Sequence, residues 1–302
     1  MESKPVTVNI PVPKAPSGAP PPAFSDIGKS AGDLINRDFY HAVAASLEVK
    51  LKSANGVAFT TKGTSPHGAA LSASVEGKKA LDKGIAVTQS WASSDVLTTK
   101  VELDNTITNG LKAELVGNFS PSKGAKGQKL SLFFKQPQFH LRSFSDYAPG
   151  GAITTVLDAV VGYEGFLVGG EAGYDVQKAT VTRYSAALGY TTPAYAAALT
   201  ATNNLSIFSA SYYQKVNSAV EVGTKAAYDV KSSSTVGIEL ASKYKIDPLS
   251  FAKAKINDRG IASIAYNTKV NSGFTFGIGA SFDTQKLNEA GHKIGASFTF
   301  EG

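Results

Sequence analysis

The chain of 302 residues contains no cysteine, which excludes disulfides and thiolate metal centres and leaves the redox compartment unmarked. It contains no apolar run of the ~18–20 residues that carry a helix across a bilayer, so a membrane protein of this sequence would have to be a β-barrel. Charge is sparse, at 18% of residues against about 25% in ordinary soluble domains. The four histidines, His41, His67, His140 and His292, are scattered without ligand spacing, and no metal site is expected. Catalytic constellations are equally thin. Gly28-Lys29-Ser30 ends like a phosphate-binding loop, but the leading glycine would fall at Ala23 and no strand precedes it. The GIGASF run at 277–282 lacks the third glycine of a dinucleotide fingerprint. No Ser–His–Asp set or carboxylate pair can be assembled. The expectation is a protein without enzymatic activity or cofactor.

Glycine is plentiful, at 29 residues, and aromatics reach 10%, a profile that favours strands and close backbone approach. The formal net charge of +6 is spread along the chain rather than gathered into a stripe, so anionic solutes are expected and nucleic acid is not. The opening MESKPVTVNIPVPKAPSGAPPP has neither a signal-peptide apolar core nor the Arg-rich amphipathic character of a transit peptide. Residues 1–22 are expected to form a disordered Pro-rich extension. The next segment, 23–40, carries the one convincing helical pattern. Phe24, Ile27, Ala31, Leu34 and Ile35 share a face, Asp26, Lys29, Asp33 and Arg37 lie opposite, and Ser25 is placed to cap the start.

From residue 43 the period becomes two and stays there. LEVKLK sets Leu47, Val49 and Leu51 against Glu48, Lys50 and Lys52, and Asn55-Gly56 follows as a hairpin signal. VLTTKVEL, LKAELVGNF, AVEVGTKAAYD, VGIELASKYK and FTFGIGASFD repeat the alternation, as does the closing KIGASFTFE. Residues 43–302 accommodate about nineteen strands of roughly ten residues with short turns, the signature of a transmembrane barrel. A soluble sandwich would need far fewer strands and a domain break. Tyr163, Tyr174, Tyr190, Tyr195, Tyr228 and Tyr244, near strand ends, suit interfacial girdles.

The stretches FSDIGKSAGDLINRDFYH, GLKAEL, VVGYEGFLVGGEAGYDVQKA, YYQKVN, KYKIDP and GASFDTQKL closely resemble the mitochondrial porins, the voltage-dependent anion channels, above all the fungal members. The resemblance covers about residues 23–302. Nineteen is the strand number already known for that barrel, so chain length is the more independent support. The resemblance implies a barrel in the mitochondrial outer membrane with a parallel first and last strand and the helix inside the pore. It implies a voltage-gated channel for small ions and for ATP, ADP, NADH and phosphate, contacts with membrane lipid and the barrel-insertion machinery, and a homo-oligomer. A protein-import barrel of the same fold is the alternative.

Parity assigns Lys50, Lys52, Lys100, Lys112, Arg183, Lys225, Lys243, Lys253, Lys255 and Lys293 to the lumen, where basic rings favour anions. By resemblance, Asp26, Lys29, Asp33 and Arg37 mark a gating helix. Lys293, Gly295, Ala296 and Phe298 likewise fit the family's membrane-insertion signal in the last strand. Many relatives have a lipid-facing acid in the strand carrying VTQSW. Here that residue is Gln89, which removes a costly charge.

Overall fold

The computed structural model describes residues 19–232, 234–289 and 291–302; most of the Pro-rich extension lies outside them. Nineteen strands form one sheet, from β1 (Ala45–Lys52) to β19 (Lys293–Glu301). Each strand pairs antiparallel with its chain neighbours. β1 also pairs in parallel with β19, from Ala45 opposite Ala296 to Lys50 opposite Glu301. The parallel seam follows from the odd strand number: alternating direction nineteen times leaves the first and last strands pointing the same way. Closure removes both edges, so the backbone polar groups of the wall are satisfied within it, as a hydrocarbon environment requires. No helix among the described residues is long and apolar enough to cross a membrane.

Turn chemistry sets the registers locally. The loop after β1 spans four residues, with only Gly56 at positive φ (80°), so Asn55-Gly56 does not form the two-residue turn its sequence suggests. One of the two-residue loops is Glu164-Gly165, between β9 (Ile153–Tyr163) and β10 (Phe166–Asp175), with both φ angles positive at 47° and 90°. That geometry matches the strand twist.

Directly opposed residues share a face, so the pairings carry one parity around the whole wall. One face bears the large apolar side chains, including Trp91, Leu115, Leu188 and Leu199, each more than half exposed. The other bears most of the charge. The N-terminal segment packs on the charged face and reaches from Arg142 on β8 (Phe139–Tyr147) to Gly295 on β19. A short chain can touch more than half the circumference only from within. The charged face is therefore the lumen, and the apolar face meets lipid.

Candidate pore and lumenal helix

The segment 23–42 is not one helix. A 3-10 turn (Phe24–Asp26) is followed by Gly28 in the left-handed region (φ 81°), then α1 (Lys29–Asn36), then a second 3-10 turn (Tyr40–Ala42). The expected continuous helix over 24–37, capped by Ser25, is thus corrected. Ser25 caps nothing; its Oγ accepts from Arg142 Nη2 at 3.2 Å. The break has a packing cause. Phe24 and Ile27 pack with Val160, Leu167, Ala187 and Ala198, whereas Leu34 and Ile35 pack with Ala241 and Tyr213 farther around the wall. A straight helix cannot follow that curve. A Cβ at Gly28 would stand 2.9 Å from Ser211 Oγ, so glycine meets both the conformational and the spatial demand. Order also begins earlier than residue 23: Pro21 is buried against Gly162, at the rim where β9 turns into β10.

The polar face of this segment is self-neutralising. Asp26 pairs with Lys29 at 3.0 Å and Asp33 with Arg37 at 3.3 Å, all four facing open lumen. The four residues named as gating charges sum to zero, so moving them together through a field transfers no net charge.

The root of the segment is seated on β18 (Phe274–Asp283) and β19. The Tyr40 ring lies over Gly277, where a Cβ would collide with it, and a Cβ at Gly295 would collide with the carbonyls of Tyr40 and Val43. The Tyr40 hydroxyl accepts from Asn267 Nδ2 at 2.5 Å. Burial, with Asp38 nearby, pushes the Tyr40 hydroxyl up to about 12, against the lowering effect of the Asn267 bond. Burial and then the charges of Lys255 and Lys293 lower the pKa of His41, whose Nδ1 is buried without a partner and whose carbonyl meets His67 Nε2 at 2.9 Å.

All ten cations assigned by parity stand on the lumenal face, but in three different situations. Lys50, Lys100, Lys112 and Arg183 are paired with carboxylates: Lys50 with Glu301 (3.0 Å), Lys100 and Lys112 with Glu102 (3.1 and 3.2 Å), Arg183 with Glu171 (3.2 Å). Among the described residues, no carboxylate comes within 4.0 Å of Lys52, Lys225, Lys243, Lys255 or Lys293. Lys253 is neither paired nor open to the pore. It is 4% exposed beneath the N-terminal segment, which corrects its reading as a pore-lining charge. The helix that covers it is distant in sequence, so alternation alone could not show the burial.

Sequence reasoning missed several lumenal pairs, of which Arg142 with Asp158 is the most buried. Arg142 forks onto Asp158 of β9 at 2.8–3.0 Å, with the carboxylate almost wholly buried. On β8 the lumenal parity holds His140, Arg142, Phe144 and Asp146, so a mixed aromatic and charged face blurs the alternation that marks other strands. On the lipid face, Gln89 accepts from Thr99 Oγ1 at 2.7 Å, so the amide oxygen has a partner. Of the terminal signal, Lys293 and Gly295 face inward, whereas Ala296 and Phe298 face lipid, with the Phe298 ring 5.4 Å from Phe276.

The eukaryotic porin family model matches residues 20–295. The mitochondrial outer membrane porin of Neurospora crassa is 56% identical over 93% of this chain and 99% of its own length. That of Candida albicans is 45% identical over the same shares. The non-selective voltage-gated ion channel 1 of Saccharomyces cerevisiae is 39% identical, again over 93% and 99%. Among solved structures, a porin variant of Rhodopseudomonas blastica aligns over 79% of this chain and 89% of its own at 13% identity and a TM-score of 0.42. A closed nineteen-stranded wall with a lipid-facing exterior, a charged interior and relatives matched along nearly their whole length leave one conclusion: the chain belongs to the eukaryotic porin family and forms a channel in the mitochondrial outer membrane.

Proposed function

We propose that this channel favours small anions weakly, passes ATP, ADP, NADH and phosphate, and closes with voltage through displacement of its lumenal segment. The observation that carries the selectivity is the set of unpaired lumenal cations: Lys52, Lys225, Lys243, Lys255 and Lys293, with Lys135, Lys215 and Lys269 on the same parity. With strand ends included, the lumenal carboxylates outside ion pairs among the described residues are Glu76, Asp104, Asp229, Glu239 and Asp283. The surplus of positive charge is small, and every cation sits on a wall rather than around a closed cage. Such a field biases passage without binding tightly, and tight binding would halt conduction.

Charge reversal tests it. Lys225→Glu together with Lys112→Glu is expected to move the reversal potential in a salt gradient toward cation preference. Each swap changes the local charge by two units, and the loss of Lys112 also strips a partner from Glu102. Unchanged selectivity would overturn the proposal.

The closing step has its own test. Ile27 and Ala187 lie in one buried cluster, and the chain has no cysteine of its own. Ile27→Cys with Ala187→Cys is expected to cross-link, since a disulfide needs Cα atoms within about 7 Å. The oxidised channel should then conduct but resist closing, with closing restored by reduction. Normal closing in fully cross-linked channels would show that the segment does not move.

A further inference from the structure

Among the ten cations that parity assigned to the lumen, Lys253 on β16 (Ser250–Asn257) is distinguished by what its ammonium touches. Nζ donates to the carbonyl oxygens of Arg37 at 2.6 Å and Asp33 at 3.3 Å, and it lies 4.9 Å from the centre of the Phe39 ring. These carbonyls close α1. A helix ends on carbonyls without intrahelical partners, which also carry the negative end of its dipole. Helix α1 supplies little of its own to meet them: its last turn has no basic residue, and at the cap only the Arg37 N–H returns, to Asp33. A lysine from the facing wall supplies both hydrogen bonds and positive charge.

The surroundings show why this contact can be reversible. Asp38, Tyr213, Glu221 on β14 (Val220–Asp229) and Lys243 on β15 (Ser234–Asp247) share a cleft of about 420 Å³ with Lys253. None of the carboxylates reaches ion-pair distance of Lys253, and Lys255 faces Phe39 at 4.8 Å. The amine is thus held by carbonyl dipoles and a ring, contacts that water in the cleft can replace. A buried carboxylate partner would instead leave an uncompensated charge on separation.

We propose that Lys253 is the positioning residue that latches α1 to the wall, and that undocking of α1 turns this covered lysine into a pore-lining cation beside Lys243 and Lys255. The latch stands on the contacts themselves; its consequence for closing rests on the reading above that the segment moves.

The test uses the full chain in liposomes carrying Ile35→Cys, because Ile35, on α1 itself, is fully buried while the segment is docked. Labelling by a hydrophilic thiol reagent is followed without applied voltage. Lys253→Met is expected to raise the labelling rate at least about tenfold, the lower end for losing hydrogen bonds from a charged group, since two such bonds are removed. Lys253→Arg should lie between Met and the parent. Lys255→Met, which removes a lumenal charge and a ring contact but no hydrogen bond to α1, should leave Ile35→Cys protected. Open-channel conductance shows that each barrel has formed; if Lys253→Met does not insert, Lys253→Gln, which lacks the charge, is read in the same way. Equal protection in the Lys253 variant and the parent overturns the latch. Faster labelling with an unchanged closing voltage upholds the latch and instead removes the segment from the closing step.

Discussion

Leu115→Arg is expected to cost the inserted barrel about 2–4 kcal/mol, the range for a cation facing hydrocarbon near mid-bilayer. Leu115 stands midway along β6 (Leu111–Ser120), points outward and is 51% exposed on that face. An arginine there has half a strand of apolar wall in either direction, so its guanidinium reaches neither interface easily. The outward position Val87 is a weaker probe. It pairs directly with Lys79, itself outward and one residue from the end of its strand, which places that pair near the rim. Val116→Arg is the matched control: one residue along, it faces the lumen between Lys100 and Lys129 and meets water. A loss of 2–4 kcal/mol corresponds to a drop of about 30- to 1000-fold in the folded-to-unfolded ratio. Denaturant titration in liposomes, read by protease protection, measures it. Equal costs for the two arginines would overturn the assignment of faces.

Gly277→Ala is expected to destabilise the docked N-terminal segment by about 1–3 kcal/mol, as overpacking of a filled site does. The added Cβ meets the Tyr40 ring, and the ring has little freedom to withdraw. Its hydroxyl is bonded to Asn267, and its own carbonyl occupies the space where a Cβ at Gly295 would stand. The diagnostic result is non-additivity. With Tyr40→Ala in place the same methyl enters empty space, and the cost of Gly277→Ala should vanish or turn slightly favourable through reduced unfolded-state entropy. Additive penalties in thermal unfolding would sink the account of this seat.

Proton linkage probes the same contact. The Tyr40 hydroxyl titrates at about 12 in the folded protein against 10.0 for a free tyrosine. Its contribution is therefore complete below pH 10 and lost as pH rises through 12. The His41 pKa is lowered instead. Below the ordinary histidine value of 6.5 the unfolded chain takes up a proton that the folded chain resists, so stability falls as pH drops. Stability is expected to be highest between these limbs. Tyr40→Phe should flatten the alkaline limb and leave the acid limb in place.

How far the sequence could be read depended on how local the determinant was. Wall strands such as β6 and β19 were legible because a strand's alternation is written in consecutive residues, and it assigned the ten basic residues to one face. The parallel seam was expected from the resemblance alone, because chain length does not settle whether the strand number is odd. On β8 the pattern failed, because its lumenal face carries Phe144 and His140 beside Arg142, and only pairing with Asp158 identified it. The amphipathic pattern of 24–37 was real, yet it concealed a break. Periodicity records which residues are apolar, not whether their partners lie along a straight line.

The sequence by itself determined the wall: its period, its two faces, its closure and the sign of the charge inside it. These follow from nearest-neighbour chemistry, since each strand needs only its own alternation and an adjacent strand to pair with. Only the tertiary structure decided which lumenal charges are available. Glu102 gathers Lys78, Lys100 and Lys112 from three strands, and α1 covers Lys253 from more than two hundred residues away. A charge acts on the pore through its local neighbours and dielectric, and those are set by side chains brought together across the sheet and the lumen. Alternation places a lysine on the inner face; what lies over it there decides whether it lines the pore or holds the helix.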